Sequence, residues 1–332
     1  MITGHTGFKG TWLSLLLLEL GIEVVGYSLA PTRNSIYNSV RAEGKIPEIY
    51  EDIRNESALT KFIETYQPSA IIHLAAQPLV IESYLDPVET FDVNVMGTVK
   101  LIEIARKSKC LESIIVATTD KVYKNENLGR RFIESDSLEG KDPYSASKVS
   151  SEAIIASYQH MLKTTSAMRL ISVRAGNVIG GGDYSEHRLI PDSIRAHLSD
   201  EILVLRNPNS IRPWQHVLEP LVGYLLAMGF GEDNAYNFGP MDNYDLTVIE
   251  VVKLLQDKIP FEFEIDEIER KHYESELLSL DSELARRKLG WRSIYTQHEA
   301  ISKTADWWQL YFSREDMLAV TKNQIRDYIS SL

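Results

Sequence analysis

Thr119, Asp120 and Lys121 form a short run of side chains that could transfer protons, and Tyr144 with Lys148 forms a second such cluster. A hydroxyl, a carboxyl and an amine together can serve as general acid and base. Tyr144 and Lys148 have the spacing of one helical turn, so on a helix they share a face. An ammonium beside a phenol favours the phenolate, which is a usable base. The two clusters therefore predict an oxidation joined to a separate acid-base step.

Both clusters need rigid elements to hold them, and the first half of the chain has the pattern of alternating strands and helices. The triad 119–121 directly follows the apolar run 113–118, which is typical of a buried parallel strand. It would emerge at the carboxyl end of that strand, where open α/β sheets bind ligands. The predicted strands are 23–27, 70–74, 113–118 and 167–174, and the predicted helices are 11–20, 57–66, 88–108 and 145–162. This alternation predicts a Rossmann-type doubly wound parallel sheet with right-handed crossovers.

The pattern changes near Gly180, after which shorter segments punctuated by proline follow. We therefore predict a Rossmann domain over residues 1–180 and a smaller, discontinuous substrate-binding lobe mainly over 181–332. The segment 214–245 is predicted to return to the main sheet, with a strand at 236–239. Predicted helices at 247–258, 281–289 and 298–312 complete the second lobe.

A glycine-rich turn that opens the first predicted helix is a candidate dinucleotide site. It consists of Gly4, His5, Thr6, Gly7, Phe8, Lys9 and Gly10. Glycines let the backbone approach a pyrophosphate, and the helix N-terminus offers free N–H groups. Lys9 could add a positive charge. Because the second strand lacks the usual terminal acid, these residues leave the choice between NAD and NADP open. Only three residues precede Gly4, so we expect the true start of the protein to lie upstream.

Further cofactor contacts are predicted at the ends of later strands. Asp52 and Ile53 suit an adenine edge and its stacking, although helix capping explains Asp52 nearly as well. The small residues of 74–76, which are Leu74, Ala75 and Ala76, would let a cofactor pass closely, and Thr118 ends the next strand. His73 is expected to be a satisfied core histidine. Asn94, inside a helical pattern, is expected to brace the active-site lysine.

The bulk composition excludes several classes of protein. A formal net charge of −12 argues against a nucleic-acid or anionic-membrane surface as the main partner. The single cysteine, Cys110, excludes an intrachain disulfide and fits a cytoplasmic protein. The leucine-rich run 13–20 is too short for a membrane span, and no secretory signal is recognised. No cluster of His, Asp and Glu has the spacing of metal ligands, so no metal site is predicted.

The motifs together resemble the extended short-chain dehydrogenase/reductase superfamily, and the resemblance covers nearly the whole chain. Thr119-Asp120-Lys121 looks like the signature of its sugar-nucleotide 4,6-dehydratases, most of which have Thr-Asp-Glu. Several further segments are similar to the CDP-glucose branch of that group. They are 4–10, 75–79, 118–121, 174–183, 188–191 and 212–217.

The resemblance implies a function for each cluster. Bound NAD would be reduced and reoxidised in each turnover, and CDP-glucose would be converted to CDP-4-dehydro-6-deoxyglucose in the synthesis of bacterial surface deoxysugars. Tyr144, supported by Lys148 and Thr119, would take the proton of the 4-hydroxyl. Asp120 would protonate the departing 6-hydroxyl, and Lys121 would stand where the glutamate base normally removes the C5 proton.

The resemblance also implies substrate contacts and an assembly. The predicted substrate-binding residues are Gln77, Asn177, Arg188, Leu189, Arg206 and Arg212. Guanidinium groups match pyrophosphate oxygens bidentately. A homodimer is expected to pack through the helices at 88–108 and 145–162.

Three alternatives stay open at the level of sequence. The enzyme could dehydrate another sugar nucleotide, because residue types do not reveal how the base is read. It could be a nucleotide-sugar 4-epimerase, although Asp120 and Lys121 argue against that reaction. It could also be an inactive NAD-binding regulatory protein, which the intact catalytic residues make a poorer explanation.

Overall fold

The computed structural model describes residues 1–126, 129–232, 234–240, 246–266 and 278–332. Residues 241–245 of the predicted return segment lie outside the described part of the chain. The strands are β1 Ile2–Thr3, β2 Gly26–Ser28, β3 Glu48–Tyr50, β4 Ala70–His73, β5 Ser113–Ala117, β6 Arg169–Ala175, β7 Val178–Ile179, β8 Ile202–Leu205, β9 Gln215–His216, β10 Ala235–Phe238 and β11 Glu262–Ile265.

The helices lie between these strands and after them. They are α1 Phe8–Glu19, α2 Ile36–Ser39, α3 Glu56–Tyr66, α4 Val80–Leu85, α5 Pro87–Phe91, α6 Gly97–Lys107, α7 Pro143–Thr165, α8 Leu189–Ser199, α9 Leu218–Phe230, α10 Val248–Gln256, α11 Glu283–Leu289, α12 Gln297–Phe312 and α13 Met317–Ser330. Asp92–Met96 forms a π-helical segment between α5 and α6, and Asp120–Val122 forms one 3₁₀ turn. The part of the chain described contains no helix with the length and apolar character needed to cross a bilayer.

The main sheet has seven parallel strands in the order β10-β6-β5-β4-β1-β2-β3. This arrangement confirms the predicted doubly wound sheet. The central strands are buried on both faces, as the runs of isoleucine and valine in β4 and β5 require. The order reverses between β1 and β4, so a crevice forms beyond their carboxyl ends.

Two small parallel sheets stand apart from the main sheet. One pairs β8 with β11 and the other pairs β7 with β9. The strand predicted at 236–239 corresponds to β10, which hydrogen-bonds to β6. Several elements were not predicted from the sequence. They are strands β3, β7, β8, β9 and β11 and helices α2, α4, α8, α9 and α13. The proposed division of the chain near residue 180 stays a prediction.

A large apolar core joins the α1 side of the main sheet to the second lobe. Its largest fully buried side chains include Trp12, Trp291, Trp307 and Trp308. The indole N–H of Trp12 donates to the carbonyl of Gly181 at 3.0 Å, so α1 is tied directly to the segment after β7. A separate core covers the opposite face of the sheet, beneath α3, α6 and α7. The two cores fix the strand ends at which the candidate site lies.

Candidate active site

The segment 119–121 lies at the carboxyl end of β5, as the sequence predicted. Thr119 caps the 3₁₀ turn, because its Oγ1 accepts the N–H of Lys121 at 3.3 Å and donates to Asp120 Oδ1 at 3.0 Å. Asp120 is 2% exposed, and its Oδ2 has no hydrogen-bond partner among the described residues. Burial raises the pKa of the Asp120 carboxyl, while the nearby Lys121 ammonium opposes that rise. The result is a carboxyl group suited to donating a proton to a ligand.

Lys121 is exposed, unlike Asp120. The role of Lys121 as the C5 base stays a prediction.

Helix α7 presents Tyr144 and Lys148 on one buried face. Asp142 and Ser145 form a capping box at its start, with Pro143 in the first turn. Burial raises the pKa of the Tyr144 phenol to about 12, although the Thr119 hydroxyl and the Arg188 guanidinium oppose the rise. Desolvation of the phenol thus outweighs the favourable charges around it, and the support of the phenolate by Lys148 stays a prediction.

Lys148 is also buried, and this changes what its ammonium can do. Its Nζ donates to the carbonyl of Ala117 at 3.3 Å, so the side chain is anchored to the end of β5. Burial lowers the pKa of Lys148 to about 8, which Glu152 partly opposes. Lys148 is therefore a group that can lose and regain a proton near neutral pH.

The glycine turn has the close packing of a phosphate cradle. Gly4 has φ +75°, and a Cβ there would lie 2.8 Å from the backbone nitrogen of Ala75. A Cβ on Gly10 would lie only 2.1 Å from the carbonyl oxygen of Gly4. Gly7 begins α1 without any side-chain cap. Free N–H groups at the start of this helix fit the pyrophosphate of a dinucleotide.

The side chains of the turn are used in different ways. His5 is buried and its Nε2 pairs with Glu48 Oε2 at 2.8 Å, while Thr6 Oγ1 pairs with Ser28 Oγ at 2.8 Å. Phe8 packs near Gly180, where an added Cβ would lie 3.1 Å from its ring. His5 and Thr6 therefore brace the turn against β2 and β3 through their side chains.

Lys9 extends from the turn toward the catalytic groups. Its ammonium lies 6.0 Å from the centre of the buried Tyr224 ring. Burial lowers the pKa of Lys9 to about 8, and the charges that modify it most are those of Arg188, Asp120, Lys148 and Asp183. The predicted positive charge is thus near the reacting groups as well as the turn.

The residues at the end of β4 pack against β1 and the glycine turn. His73 is buried, with Nδ1 2.6 Å from Thr3 Oγ1 and Nε2 3.1 Å from Thr98 Oγ1, and burial lowers its pKa to about 3. It is the satisfied core histidine that the sequence suggested. Leu74, Ala75 and Ala76 follow it as a partly buried strand end against Gly4.

Asn94 binds helix α7 at Ser147, the neighbour of the active-site lysine, so its bracing of Lys148 stays a prediction. Its Oδ1 accepts the N–H of Gln77 at 2.8 Å, and its Nδ2 donates to the Gln77 carbonyl and to Ser147 Oγ. The π-helical segment turns the amide toward these partners. The Gln77 amide is engaged as well, with Leu79 and Thr90. Contact of Gln77 with a substrate stays a prediction.

Asp52 and Ile53 lie between β3 and α3, ahead of a helix as the sequence predicted. The Asp52 carboxylate binds Arg54 through two oxygens at 2.9 and 2.7 Å, and this hydrogen bonding lowers its pKa. Ile53 is buried, and a Cβ on Gly97 would lie 2.8 Å from it. Both residues have structural partners, and their contact with an adenine stays a prediction.

The residues predicted to bind the substrate are not all gathered in one place. Arg212 is buried, and its charge acts on Asp120, so it lies near the catalytic carboxyl. Arg188 begins α8 and its Nη1 pairs with Asp183 Oδ2 at 3.2 Å. Leu189 packs against the core, Asn177 is partly buried beside β7, and Arg206 is exposed after β8.

Sequence reasoning missed two residues of the site. Asp183 is 4% exposed and pairs with Arg188. It follows the glycine run 180–182, which belongs to a segment of the family resemblance, but it was not predicted as a site residue. Tyr224 is fully buried, its hydroxyl has no partner among the described residues, and Tyr144 acts on it electrostatically. Nothing in the sequence pattern of α9 separates Tyr224 from ordinary core residues. Over the same described residues, no three His, Cys, Asp or Glu side chains are grouped as metal ligands.

Known proteins resemble this chain over most of its length. A family model described as GDP-mannose 4,6 dehydratase matches residues 1–304. The chain belongs to this family. A CDP-glucose 4,6-dehydratase from Salmonella typhimurium is 38% identical over 346 aligned residues, which cover 99% of this chain and 96% of the relative. The resemblance to sugar-nucleotide 4,6-dehydratases is thereby confirmed.

Solved structures share the fold at lower identity. The dTDP-glucose 4,6-dehydratase of Bacillus anthracis, in complex with NAD, has a TM-score of 0.80 at 23% identity and covers 96% of this chain and 98% of that chain. A UDP-glucose 4-epimerase from Thermotoga maritima, with UDP-glucose, has a TM-score of 0.82 at 22% identity and covers 94% and 98%. Because a dehydratase and an epimerase match equally well, the fold alone does not separate the two reactions.

Proposed function

We propose that this chain is an NAD-dependent hydro-lyase that converts CDP-glucose to CDP-4-dehydro-6-deoxyglucose and water. The observation that carries the proposal is Asp120, a buried carboxyl with a raised pKa and an unpartnered oxygen. Oxidation at C4 needs only a base and a hydride acceptor, so a second buried acid implies a second chemical step. The 38% identity to a CDP-glucose 4,6-dehydratase supports the choice of nucleotide.

The cofactor would be held by the glycine turn and the strand ends around it. Gly4, Gly7 and the first N–H groups of α1 suit its pyrophosphate, and residues 74–75 pack directly against the turn. The Bacillus anthracis dehydratase was solved in complex with NAD, which supports this cofactor. Bound NAD would supply the acceptor and later the donor of one hydride.

Tyr144 would act first, as the base that takes the proton from the 4-hydroxyl. With a pKa of about 12 it needs nearby positive charge to do so, and the Arg188 guanidinium is close enough to oppose the rise. Lys148, with a pKa of about 8, can pass a proton to solvent through its own exchange. Thr119 would hold the phenol in position.

Asp120 would act in the second step, after a ketone at C4 has acidified the C5 proton. Its protonated carboxyl would donate to the departing 6-hydroxyl, so that C6–O breaks and water leaves. Lys121, after passing its own proton to Asp120 or to water, would as a free amine receive the C5 proton while the C5–C6 double bond forms. It would return that proton to C5 when hydride reaches C6. Arg212, beside Asp120, would stabilise the carboxylate that remains.

We assign the substrate diphosphate to the guanidinium groups at the mouth of the site. Arg188 and Arg212 are close enough to the catalytic groups to act on their pKa values. Arg206 would take part only if the exposed end of β8 closes over the nucleotide. Asn177 and Leu189 are proposed to contact the sugar nucleotide between them.

We also propose a homodimer in the cytoplasm. Apolar side chains of α4 and α5 next to α7 stand in solvent, with Tyr84 64%, Leu85 74% and Val88 78% exposed. Together they form an apolar patch that a second copy of α4, α5 and α7 would cover. A single cysteine is compatible with a reducing compartment.

The proposal is tested by offering CDP-glucose, UDP-glucose, dTDP-glucose and GDP-mannose to the NAD-loaded protein without added reductant. A 4-keto-6-deoxy product from CDP-glucose is expected to form fastest. With substrate deuterated at C4, the label is expected at C6 of the product. An epimerised hexose that keeps the label at C4 would instead identify a 4-epimerase, and no turnover of any substrate would favour a regulatory protein.

A further inference from the structure

An ion pair between Arg174 and Glu152 lies buried directly beneath the catalytic segment. Arg174 Nη2 donates to Glu152 Oε2 at 2.8 Å and Arg174 Nε donates to Oε1 at 2.8 Å, with both side chains 5% exposed. Such pairs seldom add net stability over apolar residues of the same size, because both charges must leave water. Its presence at this position therefore calls for a reason other than stability.

The carboxylate of this pair joins α7 to the end of β5. Tyr144, Lys148 and Glu152 succeed one another at one-turn intervals, so Glu152 shares the catalytic face of the helix. Its Oε1 also accepts the hydroxyls of Thr118 at 2.6 Å and Ser172 at 2.5 Å. Thr118 immediately precedes Thr119. One side of the catalytic segment is thus bound to the helix that carries the redox pair.

The guanidinium of the pair binds the other side of the same segment. Arg174 Nη1 donates to the hydroxyl of Tyr123 at 2.7 Å and to the carbonyl of Glu134 at 3.1 Å. Tyr123 follows the 3₁₀ turn directly, and its own hydroxyl donates to Asn237 Oδ1 at 2.7 Å. The residues on both sides of 119–122 therefore have a hydrogen bond to the same buried ion pair.

The redox pair on α7 has anchors of its own. The N–H of Tyr144 donates to Ser83 Oγ at 3.1 Å, and Asn94 donates to Ser147 at 2.9 Å. Loss of the ion pair would leave these contacts in place. Asp120 lies between Thr118 and Tyr123, which both bind the ion pair. Its position relative to α7 therefore depends on the pair more than the position of Tyr144 does.

We propose that Glu152 and Arg174 are positioning residues that hold Asp120 and Lys121 in register with Tyr144 and Lys148. The inference rests on the proposed function and deepens it. A proton donor must be within about 3 Å of the atom it serves, and a displacement of about 1 Å can cost a factor of about 100 in rate. The ion pair acts on the elimination through the position of Asp120. Because the Glu152 carboxylate alone also acts on the charge of Lys148, the variant that removes both charges of the pair is the one that isolates the positioning effect.

The test compares the two half-reactions in holoenzyme variants. Single variants Arg174→Lys and Glu152→Gln leave a buried partner incompletely satisfied, so a double variant, Glu152→Leu with Arg174→Met, keeps an uncharged core if a single variant does not fold. Rapid mixing with CDP-glucose gives the oxidation rate from the near-ultraviolet absorbance of reduced nicotinamide. The rate at which 4-keto-6-deoxy product forms, measured by sampling the reaction over time, gives the dehydration rate.

We expect folded variants to dehydrate at least about tenfold more slowly while oxidising within about threefold of wild type, so that reduced cofactor accumulates. Arg174→Lys should retain more dehydration than the double variant. Asp136→Asn is the matched control, because Asp136 forms a bidentate pair with Arg130 at 2.7 Å on the surface just beyond the segment, and both rates should stay unchanged.

The inference is overturned if a folded double variant keeps the wild-type ratio of dehydration to oxidation, whether both rates stay unchanged or both fall by the same factor. A failure of the proposed function has a different signature, because wild-type protein would then also fail to dehydrate CDP-glucose. In that case both proposals fall together.

Discussion

Asp120 is a residue whose environment is arranged at a cost to the folded state. It is buried, its Oδ2 lacks a partner among the described residues, and its pKa is raised. A carboxyl with a raised pKa in the fold reduces stability at every pH above that pKa, and the penalty disappears as the pH falls toward the ordinary value. Burial of the acid proposed for catalysis therefore lowers the free energy of unfolding at neutral pH.

Asp120→Asn is expected to abolish dehydration and to raise stability at neutral pH by on the order of 1 kcal/mol. The amide is neutral, so it avoids the cost of a buried carboxylate. Thermal unfolding at a series of pH values checks this, and the gain should shrink as the pH becomes acidic. Asp136→Asn should behave in the opposite way, because Arg130 lowers the pKa of Asp136 and the pair contributes stability above its ordinary pKa. A gain for Asp120→Asn that is independent of pH would contradict the argument.

The placement of 119–121 at a strand end and of Tyr144 and Lys148 on one helix followed from sequence, but the direction of the Tyr144 pKa shift did not. The triad 119–121 was found because a buried strand is followed by three groups that can exchange protons. Tyr144 was expected to have a lowered pKa from its spacing to Lys148, yet burial by other elements raises it to about 12. Burial depends on what packs against a residue, and spacing along one helix does not contain that information.

At the scale of elements, the glycine turn depends on the close packing of the first turn of α1 against the backbone of Gly4. Gly10 is in the first turn of α1, and a Cβ there would lie 2.1 Å from the Gly4 carbonyl. Because backbone cannot move aside easily, the turn and the helix would have to separate.

Gly10→Ala is expected to destabilise the protein by roughly 1–3 kcal/mol and to weaken NAD binding at least about tenfold, since the turn must open. Gly229→Ala is the matched control. Gly229 is also in a helix, α9, but no atom lies within 4 Å of an added Cβ, so stability should rise by about 0.5–1 kcal/mol. Denaturant unfolding and NAD titration measure both. Equal effects of the two substitutions would refute the packing argument.

Long periodic elements were predicted well and short or irregular ones were not. The helix expected at 88–108 begins at Pro87 and ends at Lys107, but the π-helical segment 92–96 within it has no sequence signature. Strands β7 and β9 have two residues each, which is too few for a hydrophobic pattern. Arg188 precedes α8 and Arg212 precedes β9, two elements that were not predicted from the sequence. The approach of these predicted substrate residues to Tyr144 and Asp120 could therefore be expected only through the family resemblance.

At the scale of the molecule, the apolar patch of α4 and α5 defines the expected dimer. Val88→Asp together with Leu85→Glu should convert a dimer to a monomer, because charges would be buried without partners at the interface. Light scattering after size-exclusion chromatography measures this. Phe230→Glu, at the end of α9 and 67% exposed, is the control and should leave the mass unchanged. A monomeric wild type would rule out the proposed assembly.

The pairing of β10 with β6 has a consequence for how the protein is made. Strand β6 ends at Ala175, but Ala235, which begins the strand that completes the sheet, pairs back to Ser172. During synthesis β6 therefore remains an unpaired edge strand until the intervening segment and β10 have emerged from the ribosome. A fragment ending at residue 180 should be translated but should aggregate, whereas one ending at residue 332 should fold. Solubility of the two fragments in cell-free translation tests this, and a soluble, NAD-binding short fragment would show that the nascent Rossmann half needs no later strand. Chaperone dependence should accordingly be greatest midway through translation.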